Sequence, residues 1–93
     1  MRVVLLQIRL RLPSRTLKEK RAIVKSVLAR ARNRFNVSAC ESGMHEQPGD
    51  AELAFVTVAD STTRCRAVLQ ELEQTLASER LDLELTDVQV EEL

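Results

Sequence analysis

Residues 3–35, VVLLQIRLRLPSRTLKEKRAIVKSVLARARNRF, change their hydrophobic period once, and that change sets the architecture. Leu6, Ile8, Leu10 and Leu12 alternate with Gln7, Arg9 and Arg11, the period-2 pattern of a half-buried strand over residues 3–12. Pro13 and Ser14 break it. Thr16 with Glu19 three residues on forms a capping box, in which each side chain satisfies a backbone donor left without a partner at a helix start. From Leu17 to Asn33 the period becomes helical, with Ile23, Val24, Val27, Leu28 and Ala31 on one stripe.

Phe35 to Glu41 alternates again, with Phe35, Val37 and Ala39 on one face and Asn36, Ser38 and Cys40 on the other. Residues 42–50, SGMHEQPGD, hold both glycines and Pro48 and read as a loop. Ala51 to Val58 is almost wholly apolar, which predicts a central strand covered on both faces or nearly so. Asp60 or Ser61 then caps a second helix whose seam is Cys65, Leu69, Leu72 and Leu76. In the last segment Leu81, Leu83 and Leu85 sit on odd positions but Val88 and Val90 on even ones, a phase slip that predicts a bulge near Thr86 and Asp87. Strand, helix, strand, strand, helix, strand is the element order of the ferredoxin-like fold, an α+β βαββαβ unit with a four-stranded antiparallel sheet and two helices on one face. At 93 residues the chain is expected to be a single domain, 1–93, with no linker or repeat.

The net formal charge is zero, but eleven of the fourteen Lys and Arg lie in residues 1–34 beside one acid, Glu19. One end of the chain is therefore basic and the other acidic, a distribution that bears on partners rather than on fold. At roughly 100° per residue, Lys18, Arg21, Lys25 and Arg32 fall within about 60° of one another and form a basic ridge beside the apolar stripe. Arg9 and Arg11 on the preceding strand, and Lys20 on the helix, are expected to support it. This ridge is the candidate nucleic-acid-binding surface. With no Tyr or Trp there is no base-stacking platform of the RNA-recognition-motif kind, and no GxxG clamp is present, so contacts should go to phosphates and not to bases. Leu5 and, depending on the pleat of the third strand, Leu53 with Phe55 are expected on the open sheet face as the candidate self-association interface.

Catalytic chemistry finds little support. His45 is the sole histidine and lies in the loop, and Ser38, Ser42 and Ser61 have no paired base. The expectation is a non-enzymatic protein with no cofactor and no metal. Cys40 and Cys65 have no CxxC spacing and are expected to be small reduced core residues. No apolar run approaches the roughly 18 residues of a membrane span, and Met1 leads directly into a strand pattern, so a cytoplasmic location with no membrane contact is expected.

Thr16-Leu17-Lys18-Glu19-Lys20-Arg21, the helix exit Arg32-Asn33-Arg34-Phe35-Asn36-Val37-Ser38, Glu41-x-Gly43 and Ala51-Glu52-Leu53 together resemble the YlxP-like family of small bacterial proteins, a domain-of-unknown-function class. The resemblance covers residues 1 to about 60. It implies a ferredoxin-like fold, a cytosolic bacterial location and a link to translation or ribosome maturation, and it brings no catalytic residues. The chain departs from the family in the 42–50 loop, where Met44-His45-Glu46-Gln47-Pro48-Gly49-Asp50 replaces a stretch in which relatives commonly carry a Trp. The expected partner is ribosomal RNA or a ribosomal subunit. The alternative is a self-associating, ACT-like regulatory module that forms a homodimer through its open sheet face or a strand edge.

Overall fold

A computed structural model describes residues 1–93. The elements run β1 (Arg2–Arg11), α1 (Leu17–Arg34), β2 (Ser38–Gly43), β3 (Asp50–Ala59), α2 (Thr62–Glu79) and β4 (Glu84–Glu92). The sheet order is β2-β3-β1-β4 with every pair antiparallel, which is the ferredoxin-like arrangement.

Each boundary has a local cause. Thr16 accepts from the Glu19 amide at 3.1 Å while the Glu19 carboxylate accepts from the Thr16 amide at 3.2 Å, so the capping box starts α1 where the sequence placed it. Ser61, and not Asp60, caps α2 by accepting from the Arg64 amide at 3.2 Å. Thr86 is the extra residue of the bulge, because Asp87 pairs with Arg9 while Leu85 pairs with Leu10. Both ends of β2 differ from expectation: the strand starts three residues later than Phe35 and runs two residues past Glu41, to Gly43, and β3 starts one residue early at Asp50. Phe35 is the C-cap of α1 and β2 begins at Ser38, since the chain needs residues 35–37 to turn from the helix axis onto the sheet edge.

The core lies between the sheet and the helices. Val4, Leu6, Ile8 and Leu10 of β1 and Ala51, Leu53 and Phe55 of β3 are buried against Val24, Val27, Leu28 and Ala31 of α1 and Cys65, Leu69, Leu72 and Leu76 of α2. Burying one such Leu, Ile or Phe side chain contributes roughly 1.5–3 kcal/mol. Nothing covers the other face of the sheet. Ala54 and Val56 of β3 are only half-buried and Val58 is exposed, so β3 is central in the sheet but covered on one face alone, contrary to the reading of its apolar run.

That one-sided burial also corrects two cysteine and interface assignments. Cys40 is exposed on the open face and is not a core residue, whereas Cys65 is buried on α2 beneath the opposite face; both are free. Leu53 and Phe55 are each 0% exposed and point toward the helices, so neither can belong to an open-face interface. Leu5 alone of that trio is on the open face, opposite Val56 of β3.

Candidate nucleic-acid interface

The sheet sorts the cations by the parity of β1. Even residues of β1 face the helices and odd residues face away, so Arg9 and Arg11 lie on the side of the sheet opposite α1. There they are matched by acids: Arg9 Nε is 3.1 Å from Glu52 Oε2, and Arg11 Nη1 is 3.7 Å from Glu84 Oε2. The expectation that these two arginines extend the helical ridge is therefore overturned, because they lie on the opposite face of the sheet from the helix and carboxylates already meet them.

Lys20 is the second correction. It occupies the buried seam of α1 together with Val24, Val27 and Ala31, at i, i+4, i+7 and i+11, and is 1% exposed. Its ammonium sits 3.1 Å from Glu41 Oε2 on β2 and donates to the Met44 carbonyl at 2.5 Å. A charge that is fully enclosed cannot reach a phosphate. It instead ties α1, β2 and the following loop to one another. Met44 supplies its carbonyl from a left-handed conformation, φ 58°, that a non-glycine residue rarely adopts. Ser14 on the approach to α1 closes the same corner by donating to the Pro48 carbonyl at 2.6 Å.

Arg30 and Arg34 leave α1 on the flank facing α2, where both reach Glu79, at 3.3 Å and 2.6 Å. The direct hydrogen bond from Arg34 holds the Glu79 carboxyl below the usual glutamate range and raises the arginine in turn. Under this bridge lies a cleft of about 40 Å³ over Phe55. Ligand sites run to roughly 300–1,000 Å³, so the cleft is room for a water molecule rather than a substrate.

Lys18, Arg21, Lys25 and Arg32 remain. All four are exposed and none forms an ion pair. Arg32 donates to the Ala39 carbonyl of β2 at 2.8 Å, which places the ridge on the flank of α1 that overhangs the β2 edge. Arg15, just before the helix, is also exposed and without an ion pair, and it lies outside the helical period that marks the ridge. No group of three or more His, Cys, Asp or Glu side chains is gathered closely enough to hold a metal ion, and no helix is long and apolar enough to cross a membrane. His45 lies exposed in the loop, with Nε2 3.2 Å from the Glu41 carbonyl.

A family profile described as "Protein of unknown function (DUF503)" matches residues 3–90. The chain belongs to the DUF503 family. It is also similar to the protein named "Uncharacterized protein YlxP" of Bacillus subtilis (strain 168), with 36% identity over 55 residues that make up 59% of this chain and 60% of the relative's length. In this DUF503 member the motifs behind the YlxP resemblance have structural partners. Lys20 of the helix-entry motif meets Glu41 of Glu41-x-Gly43, and Gly43 leaves room for Glu52 of Ala51-Glu52-Leu53, whose carboxylate would stand 3.0 Å from a Cβ at position 43. Glu52 in turn accepts from Ser42 at 3.0 Å and from Arg9 at 3.1 Å. These DUF503 motif residues hold β2 to α1 and to β3, and Lys18, Arg21 and Arg32 are the motif cations that meet no acid.

Proposed function

We propose that this chain is a non-enzymatic, cytoplasmic RNA- or ribosome-associated protein that contacts phosphates through Lys18, Arg21, Lys25 and Arg32. The observation that carries the reading is the absence of any carboxylate partner on this ridge, while five other cations of the basic segment are paired with acids: Arg9 with Glu52, Arg11 with Glu84, Lys20 with Glu41, and Arg30 and Arg34 sharing Glu79. Unpaired cations at helical spacing attract a phosphate backbone because each contact releases condensed counterions. The acidic half of the chain repels the same backbone and so orients the approach. Base identity plays little part, because the open sheet face carries no aromatic ring.

Cosedimentation tests the proposal directly. The purified protein should pellet with ribosomal subunits at low salt and stay in the supernatant at high salt, and material freshly purified at low salt should carry 260 nm absorbance that a high-salt wash removes. Failure of both rejects the ribonucleoprotein reading. A second reading, self-association through the open sheet face, is favoured by Leu5, Val56 and Val58, of which Val58 is 48% exposed. Light scattering on Val58→Lys separates it: a dimer that becomes a monomer supports that face, and a wild-type monomer removes it.

A further inference from the structure

β4 is an edge strand whose helix-side face is only partly roofed. α2 packs over β1 and β3 and meets β4 at its margin, leaving Val88 36% and Val90 42% exposed. Between α2 and β4 runs a groove of about 290 Å³, floored by Leu6, Leu69 and Val90 and flanked by Arg66, Gln70 and Glu73. On the opposite face the same strand presents Glu84, Asp87 and Glu91. β4 thus has an apolar side and an acidic side along one open edge.

The hydrogen-bonding parity of that edge is fixed by its inner pairing. The Leu93 amide donates to the Val3 carbonyl, and the register is continuous from Val4↔Glu92 to Arg9↔Asp87. In an antiparallel ladder the hydrogen-bonded pairs alternate, so residues 87, 89 and 91 bond to β1 and the amide and carbonyl groups of 88, 90 and 92 point outward. Free groups of this kind are a template for another strand.

The inner neighbour shows which strand chemistry β4 accepts. β1 lies against it with alternating apolar and arginine residues, Ile8 opposite Val88 and Leu10 opposite Leu85 on one face, Arg9 opposite Asp87 and Arg11 opposite Glu84 on the other. Every β4 side chain stands between its two strand neighbours, so the outer edge offers the same two faces again. A second copy of the chain matches them less well, because its β4 contains no Lys or Arg to set against the acidic face in any register. Pairing β4 with β4 so that Val88 meets Val90 sets Asp87 opposite the copy's Glu91, and like charges directly opposite are destabilising. The β2 edge of a copy brings Ser38, Cys40 and Ser42 to the acidic face and no cation at all.

We infer that the free edge of β4 binds an extended segment of a partner protein by strand addition, with apolar residues seated in the α2–β4 groove and lysine or arginine on the other face against Asp87 and Glu91, neither of which forms an ion pair. The occupant is a basic β-strand peptide, and this site is separate from the basic ridge on α1.

The probe is the labelled synthetic peptide KQIRLRLK, which copies Gln7–Leu12 between two lysines, compared with EQIELELE. Fluorescence anisotropy should show saturable binding of the first and at least tenfold weaker binding of the second, and amide resonances of Val88, Val90 and Glu92 should shift most in the nitrogen–proton spectrum. Val90→Pro removes an outward-pointing amide and spares the β1 ladder, so it should abolish binding with the fold retained. Should that variant unfold, Val90→Lys, at an exposed side chain, places a cation in the groove and should weaken binding at least tenfold. Equal binding by the two peptides, undiminished binding by a folded Val90 variant, shifts centred on β2 or the open face, or a wild-type dimer whose β4 amides are protected from exchange overturns the assignment.

Discussion

The two flanks of α1 carry the same kind of residue and put it to opposite uses. On the flank toward α2, Arg30 and Arg34 are bound to Glu79, and in the seam between the flanks Lys20 is sealed against Glu41. On the flank above β2, Lys18, Arg21, Lys25 and Arg32 have no acid to meet. A count of charges along the chain treats these seven cations alike, whereas the fold spends three of them on holding elements together and leaves four facing solvent. Field strength at a surface follows from unpaired charge, and so does the capacity to release counterions.

The contrast breaks most visibly under charge reversal. Changing Lys18, Arg21, Lys25 and Arg32 together to Glu should abolish RNA binding in an anisotropy assay while the circular dichroism spectrum remains that of the folded protein. Reversing an equal number of acids to Lys on α2 and β4 should leave binding intact or strengthen it. A ridge reversal that still binds would show that the cations on the other flank, or the open sheet face, carry the contact.

The buried member responds in stability and not in affinity. Glu41→Ala leaves the Lys20 ammonium enclosed without its counter-ion, and removal of one partner from a buried pair costs about 3 kcal/mol. Urea unfolding should register that loss, and the double variant Lys20→Met with Glu41→Leu should recover most of it. The fraction that remains folded should bind RNA as wild type does.

Helix entry gives a smaller effect. Thr16→Ala removes the acceptor for the Glu19 amide and should lower stability by about 0.5–2 kcal/mol in the same unfolding experiment, with RNA affinity changed little.

How much of this was legible depended on whether two neighbouring residues differed in polarity. The capping box, the α2 seam and the bulge at Thr86 all follow from changes of period that polar residues mark clearly. In β3 both phases of Ala51–Val58 are apolar, so alternation could not say whether Leu53 and Phe55 or Ala54 and Val56 face the helices. Glu52 carried that information, since its carboxylate must share a face with Ala54 and Val56 and so put Leu53 and Phe55 inside. Lys20 was readable too, because it continues the spacing of Val24, Val27 and Ala31, but a lysine is expected at the surface unless a partner is known, and Glu41 is distant in sequence. Arg9 and Arg11 could be assigned away from α1 once Leu6, Ile8 and Leu10 were known to face it. Which cations find acids is a property of the assembled sheet and of side-chain reach, and no periodicity encodes it.

The paired flank also has a weak pH signature. Arg34 lowers the Glu79 carboxyl, and Arg80 lowers Asp82 through its own hydrogen bond. A carboxylate depressed in the folded state contributes stability above its unfolded pKa and loses it as pH falls through the folded value. The melting temperature should therefore decline between about pH 5 and pH 3, and Glu79→Gln with Asp82→Asn should flatten part of that decline. The change is small because both groups are exposed to solvent.

The central claim, that four unpaired cations on one flank of α1 meet phosphates, is tested most directly by the salt dependence of binding to a ribosomal RNA fragment. Neutralising about four phosphates gives a slope of log affinity against log salt of roughly −3 to −4, somewhat shallower on single strands. That slope, falling by about one for each ridge cation removed and unchanged by Arg30→Gln or Arg34→Gln, is the predicted result. Affinity that does not vary with salt, or no binding at micromolar protein, contradicts it.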